Sequence, residues 1–168
     1  MSNIVHVLLA NYPLTCLVVG MMFSIVAIFR HAGPVDASLI VDRLIAWHVF
    51  WAIGVFYFVN FVMHGLLGEM AAANIGWADS PFQFEVATAS LGFSVVGFIA
   101  AFRSFDLRLA AIVGPSFFML GAAVVHLSDM VTTRNFAPGN TGVFFYMDIV
   151  IPLVGLGLLW LQHRSGKT

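Results

Sequence analysis

Five stretches of this chain, at approximately residues 5–29, 44–67, 82–102, 109–131 and 143–162, run almost without a charge. Each is long enough to cross about 30 Å of hydrocarbon as a helix rising about 1.5 Å per residue. These runs constrain the fold more than any other feature, because a backbone in lipid must satisfy its own hydrogen bonds and therefore spans as a helix or a closed barrel. The runs are continuously apolar rather than alternating, which excludes the barrel. The expectation is an all-α integral membrane bundle of five transmembrane helices in one domain, residues 1–168. With 61% hydrophobic and 9% charged residues, the composition lies far from that of a soluble domain. The first run is longer than a signal-peptide core and lacks a basic flank, so it reads as a retained span. Cys16 stands alone inside it, excluding a disulfide framework or thiolate cluster within the chain. Phosphate loops, nucleophile elbows and basic nucleic-acid patches are missing as motifs, so no nucleic-acid partner is expected.

Between the runs lie HAGPVDAS, GWADSP and NFAPGNTG, all turn chemistry. Ser80-Pro81-Phe82-Gln83 reads as an N-cap, a proline at the first helical position and a glutamine reaching back, a capping box. Asn140 or Thr141 is expected to cap the last helix in the same way. The segment 35–43, VDASLIVDR, is too short and too charged to span and reads as a linker. Arg30, Arg43, Arg103, Arg108, Arg164 and Lys167 fall at one set of span ends and Arg134 alone at the other. By the positive-inside rule the N-terminus is outside and the C-terminus inside. Trp77 and Trp160 suit the two interfacial belts. Ser90, Gly92, Ser94 and Gly97, and likewise Gly114, Gly121 and Ala122, offer small-residue surfaces for close helix approach.

Counting turns from the outer ends gives depth. Glu85 follows Pro81 by four residues, His64 precedes its helix end by about four, His126 precedes Thr132 by six and Asp148 follows Thr141 by seven. All four lie roughly 6–10 Å below the outer surface. Asp129 shares a face with His126, while Asn60 and Tyr57 continue a polar stripe from His64. Pro152 cannot donate to the carbonyl of Asp148, which adds a free oxygen at that level. Ionisable groups at such depth face the bundle interior and find partners.

Two imidazoles with several carboxylates are a ligand set for iron, zinc or manganese, here His64, Glu85, His126, Asp148 and Asp129, with Asn60 and Tyr57 orienting them. Such a centre would act on a lipophilic small molecule arriving from the bilayer. His64 and His126 are alternatively the axial ligands of a b-type haem. The same groups also suit a proton or cation relay, or a structural knot in a non-catalytic accessory subunit of a larger membrane complex or a homo-oligomer.

Through IGWADSPFQFE, GAAVVHLSD and NFAPGNTG the chain resembles an uncharacterised family of small bacterial multi-span membrane proteins, with the patterns IGW-x-x-SPFQ-x-E and N-x-APGN-x-G. The resemblance extends over the second to fifth helices. It supports the multi-pass architecture, implies a bacterial inner-membrane protein surrounded by lipid, and marks His64, Glu85, His126 and Asp148 as positions to examine; in a bacterium the outer side given by the arginine bias is the periplasm.

Overall fold

The computed structural model describes residues 2–165, and Lys167 lies outside them. Among these residues every regular element is helical: α1 (Ser2–Ala10), α2 (Tyr12–Phe29), α3 (Ala37–His48), a π-helical stretch (Val49–Val55), α4 (Phe56–Leu66), α5 (Gly68–Ile75), α6 (Phe82–Ala100), α7 (Phe105–Thr132), α8 (Pro138–Thr141) and α9 (Val143–Arg164). Five helical units, Tyr12–Phe29, Ala37–Leu66, Phe82–Ala100, Phe105–Thr132 and Pro138–Arg164, are long and apolar enough to cross a membrane.

Two boundaries differ from expectation. The first run is not one helix. It breaks at Asn11, whose Nδ2 donates to the Val7 carbonyl at 2.9 Å, and α2 restarts with Pro13 at its second position. Asn11 leaves helical geometry, with φ −124° and ψ 36°, and Pro13 is tolerated in the first turn of α2 because its missing N–H has no intrahelical partner there. The segment 35–43 is not a linker. Asp36 caps α3, its Oδ1 accepting from the Leu39 N–H at 2.7 Å, and the helix runs on into the π stretch and α4. Asp42 and Arg43 are tolerated there because Asp42 is paired, at 2.8 Å, with Arg108 Nη1 on α7.

The unit formed by α3, the π stretch and α4 is the central one, packing against α2, α6, α7 and α9. Its own backbone is opened in the π stretch, where Ser94 Oγ on α6 donates to the Gly54 carbonyl at 2.8 Å. Gly97 makes that approach possible, since a Cβ there would lie 2.7 Å from the Gly54 nitrogen. Ser90, Ser94 and Gly97 are therefore the contact surface of α6, whereas Gly92 and Gly121 face open space.

One core cluster gathers Tyr12, Cys16, Ile53, Phe56, Tyr57, Met119 and Ile151, and a second gathers Ile45, Val49, Ala100, Ala111, Ile112 and Leu159. Outside them the helices expose large apolar side chains such as Met22, Phe98, Phe117, Val124 and Leu153. At the basic end Arg108 is buried, its Nε donating to the Ala101 carbonyl at 3.2 Å, so one guanidinium joins α3, the end of α6 and α7. At the opposite end α5 and α8 pack on each other as a cap.

Candidate functional site

The cap is built by the two loop motifs. Helix α5 ends at Gly76, whose φ of +83° is left-handed and favours glycine. A Cβ at Gly76 would stand 2.6 Å from Asn135 Oδ1, so the Asn135 amide lies directly against this turn. Asn135 Nδ2 donates to the Ile75 carbonyl at 2.9 Å and to Asp129 Oδ2 at 2.7 Å. Gly139 seats against Asn74 in the same way, where a Cβ would come within 2.5 Å of the Asn74 amide nitrogen. The GWADSP and NFAPGNTG stretches thus grip one another over the end of α7.

Beneath them lies His126, buried on α7. Trp77 covers it, with ring centroids 5.6 Å apart and planes inclined at 22°, and anchors itself by donating Nε1–H to Asp129 Oδ2 at 2.8 Å. His126 Nδ1 meets Asn140 Oδ1 at 2.6 Å. The orientation of that amide is fixed by its other end, because Asn140 Nδ2 donates to the Asn135 carbonyl at 2.7 Å. An amide oxygen only accepts, so Nδ1 carries the hydrogen. Nε2 is then left to face Asp148 Oδ2, 3.8 Å away on α9. If the imidazole is neutral and the carboxyl ionised, two lone pairs confront each other. One proton between them removes the conflict, either as a carboxylic acid facing Nε2 or as an imidazolium facing a carboxylate.

Below this pair runs a second polar chain. Tyr12 OH donates to Asn60 Oδ1 at 2.7 Å, Asn60 Nδ2 donates to Ser90 Oγ at 2.9 Å, and Ser90 Oγ donates to the Val86 carbonyl at 2.7 Å. Tyr57 OH donates to the Pro115 carbonyl at 3.2 Å.

The other expected residues are distributed differently. His64 pairs through Nδ1 with Gln83 Oε1 at 2.5 Å. Gln83 therefore serves an imidazole rather than a capping box, and α6 begins without a side-chain cap. Asn140 and Thr141 do not cap α9 either: Asn140 is committed to His126, Thr141 Oγ1 donates to the Ala137 carbonyl, and Gly142 occupies the cap position. Glu85 is exposed. Asp129 lies at the surface, accepting from Trp77 and Asn135 on Oδ2 and from Thr133 on Oδ1, and holds the cap together. Asn60 and Tyr57 belong to the lower chain and do not orient His64. Among the described residues no group of three His, Cys, Asp or Glu side chains is placed to hold a metal ion. His64 and His126 are each tied through Nδ1 to a different amide, Gln83 and Asn140.

The azimuth of α6 explains the difference. Its buried positions are Ala87, Ser90, Ser94, Gly97 and Ala100. Extending that face one turn outward reaches Gln83, and Glu85 lies about 200° around the helix from Gln83 at about 100° per residue. The small residues of this stripe were the available signal. For the surroundings of His126 the available signal is the pair of amides, Asn135 and Asn140, of which Asn140 is expected from the sequence only as a helix cap.

No curated protein and no solved structure matches the chain. A model of a family of unknown function, DUF6790, matches residues 10–168. With nearly its whole length matched, the chain belongs to the DUF6790 family.

Proposed function

We propose that this protein is a multi-pass protein of the bacterial inner membrane, with its N-terminus outside, that takes up a proton from the periplasmic side and relays it inward through His126 and Asp148. The exposed apolar helix surfaces and the arginines gathered at one end support the placement. The relay rests on one observation: with Nδ1 committed to Asn140, His126 Nε2 faces Asp148 Oδ2 at 3.8 Å, an arrangement that calls for a single proton between two titratable groups. Trp77 stacks on His126 and donates to Asp129, which places the imidazole one aromatic ring beneath a carboxylate at the cap. Tyr12, Asn60 and Ser90 form a separate hydrogen-bonded chain of hydroxyl and amide groups beside the pair. Buried acids and imidazoles in series are the usual material of intramembrane proton paths.

The test is proton flux in liposomes containing the purified protein, driven by an imposed pH step. Flux above protein-free vesicles is expected, and Asp148→Asn and His126→Phe are each expected to abolish it. Equal flux in Asp148→Asn and the unaltered protein would refute the relay.

A further inference from the structure

A groove opens at the cap end of α7, with a volume of about 410 Å³ and a lining of Trp77, Val124, Val125, Ser128, Asp129 and Thr132. The five α7 positions recur at three- and four-residue spacing, so they form one stripe along the helix. The stripe is polar toward the helix end and apolar below. Val124 and Val125 are 68% and 50% exposed and lie eight and seven residues before Thr132, about 10–12 Å deeper. Trp77 forms the remaining wall. It rests on His126 yet is still 39% exposed, so part of the indole is left to the groove. The polar end accepts hydrogen bonds. Asp129 takes two on Oδ2, from Trp77 and Asn135, and one on Oδ1, from Thr133. Each carboxylate oxygen has two lone-pair positions, so Oδ1 keeps one open. All three donors are neutral and leave the negative charge in place, and among the described residues no lysine, arginine or histidine forms an ion pair with it. Thr132 Oγ1–H is already donated, to the Ser128 carbonyl at 2.8 Å, so its oxygen offers the groove lone pairs only.

We infer that this groove binds the primary ammonium headgroup of a phospholipid of the outer leaflet, with the ammonium on Asp129 beside Trp77 and an acyl chain along Val125 and Val124. The inference rests on the membrane placement proposed above and is independent of the relay. Three features select that chemistry. A primary ammonium carries three donors and no acceptor, which matches a carboxylate and a hydroxyl oxygen with lone pairs to spare. The indole beside the carboxylate adds its own attraction for a cation. The order of the stripe, acceptors at the helix end and valines deeper, is the orientation of a lipid whose headgroup lies at the surface and whose chains run inward. A trimethylammonium headgroup has the charge but no hydrogen to donate. A water-soluble amine leaves the valines uncovered, whereas a bilayer lipid covers them and surrounds this face already.

The experiment is native mass spectrometry of the purified protein in detergent, titrated with phosphatidylethanolamine and with phosphatidylcholine of identical short chains. The first phosphatidylethanolamine is expected to bind about tenfold tighter than phosphatidylcholine, or more. Asp129→Asn is expected to bring the two lipids level, and Val124→Phe to weaken phosphatidylethanolamine binding several fold by filling the apolar end. Val124→Phe alters an exposed position and covers the case in which Asp129→Asn loosens the cap, which circular dichroism and monodisperse elution monitor. Dodecylammonium, with a single chain to cover the valines, is expected to compete more weakly than the lipid. Equal affinity for the two lipids, a preference retained by Asp129→Asn, unchanged binding in Val124→Phe, or tighter binding of dodecylammonium than of the lipid would each overturn the assignment. Asp148→Asn is expected to keep the lipid preference, so that loss of lipid binding and loss of proton flux are read apart.

Discussion

Nε2 of His126 and Oδ2 of Asp148 face each other across 3.8 Å between α7 and α9, and no other described side chain hydrogen-bonds to that carboxyl. The distance is too long for a direct hydrogen bond, so the two groups face each other without one. Asn140 makes the pair directional, because it fixes the hydrogen on Nδ1 and turns the open nitrogen inward.

Asn140→Leu is expected to lower stability by about 1–3 kcal/mol, since it strands both the His126 N–H and the Asn135 carbonyl in a buried position. Thermal unfolding in detergent, followed by circular dichroism, measures the loss. Proton flux is expected to fall as well, because the ring is then free to present either nitrogen to Asp148.

Gly76→Ala places a side chain on a left-handed backbone, a strain of about 1–2 kcal/mol. The new Cβ also meets Asn135 Oδ1 at 2.6 Å, so the amide that joins Ile75 to Asp129 must move. A lowered melting temperature is expected together with a red shift of Trp77 emission, as the indole loses its place over His126.

Arg108→Ala leaves Asp42 without its partner and frees the Ala101 carbonyl. Removing one member of a buried, hydrogen-bonded ion pair costs about 3–5 kcal/mol, and the Arg108 side chain is 4% exposed. Because Asp42 is 27% exposed, the loss is expected toward the lower end of that range. Arg108→Lys is expected to recover only part of it, since a point charge replaces a fork that bonds two groups at once. Chemical denaturation of the three proteins orders them.

Glu85→Gln is expected to leave proton flux and melting temperature unchanged, because the side chain is exposed and faces away from the packed side of α6. Metal analysis of the purified protein is expected to find no stoichiometric iron, zinc or manganese, since among the described residues only His126 and Asp148 come together, while His64 is held by Gln83 and Glu85 is exposed.

The five apolar units and the unequal distribution of arginine were legible in the sequence because hydropathy and charge are local properties. The direction in which a side chain points was not, and Glu85 and Gln83 show why: two positions apart they share a depth and differ by about half a turn. Only the stripe Ala87, Ser90, Ser94 and Gly97 tells them apart. The start of α3 at Ala37 was obscured because Asp42 and Arg43 read as loop charges until Arg108, 66 residues away from Asp42, is seen to pair with the first of them. The His126 and Asn140 contact was hidden for a related reason, since NFAPGNTG has turn composition whether or not its amides reach a neighbouring helix.

The most direct test of the central claim is infrared difference spectroscopy of the protein in lipid across a pH titration, comparing the unaltered chain with Asp148→Asn and His126→Phe. A protonated-carboxyl band is expected that disappears with rising pH, is absent from Asp148→Asn, and is displaced along the pH axis in His126→Phe. A titration identical in the unaltered protein and Asp148→Asn, or one indifferent to His126, would contradict it.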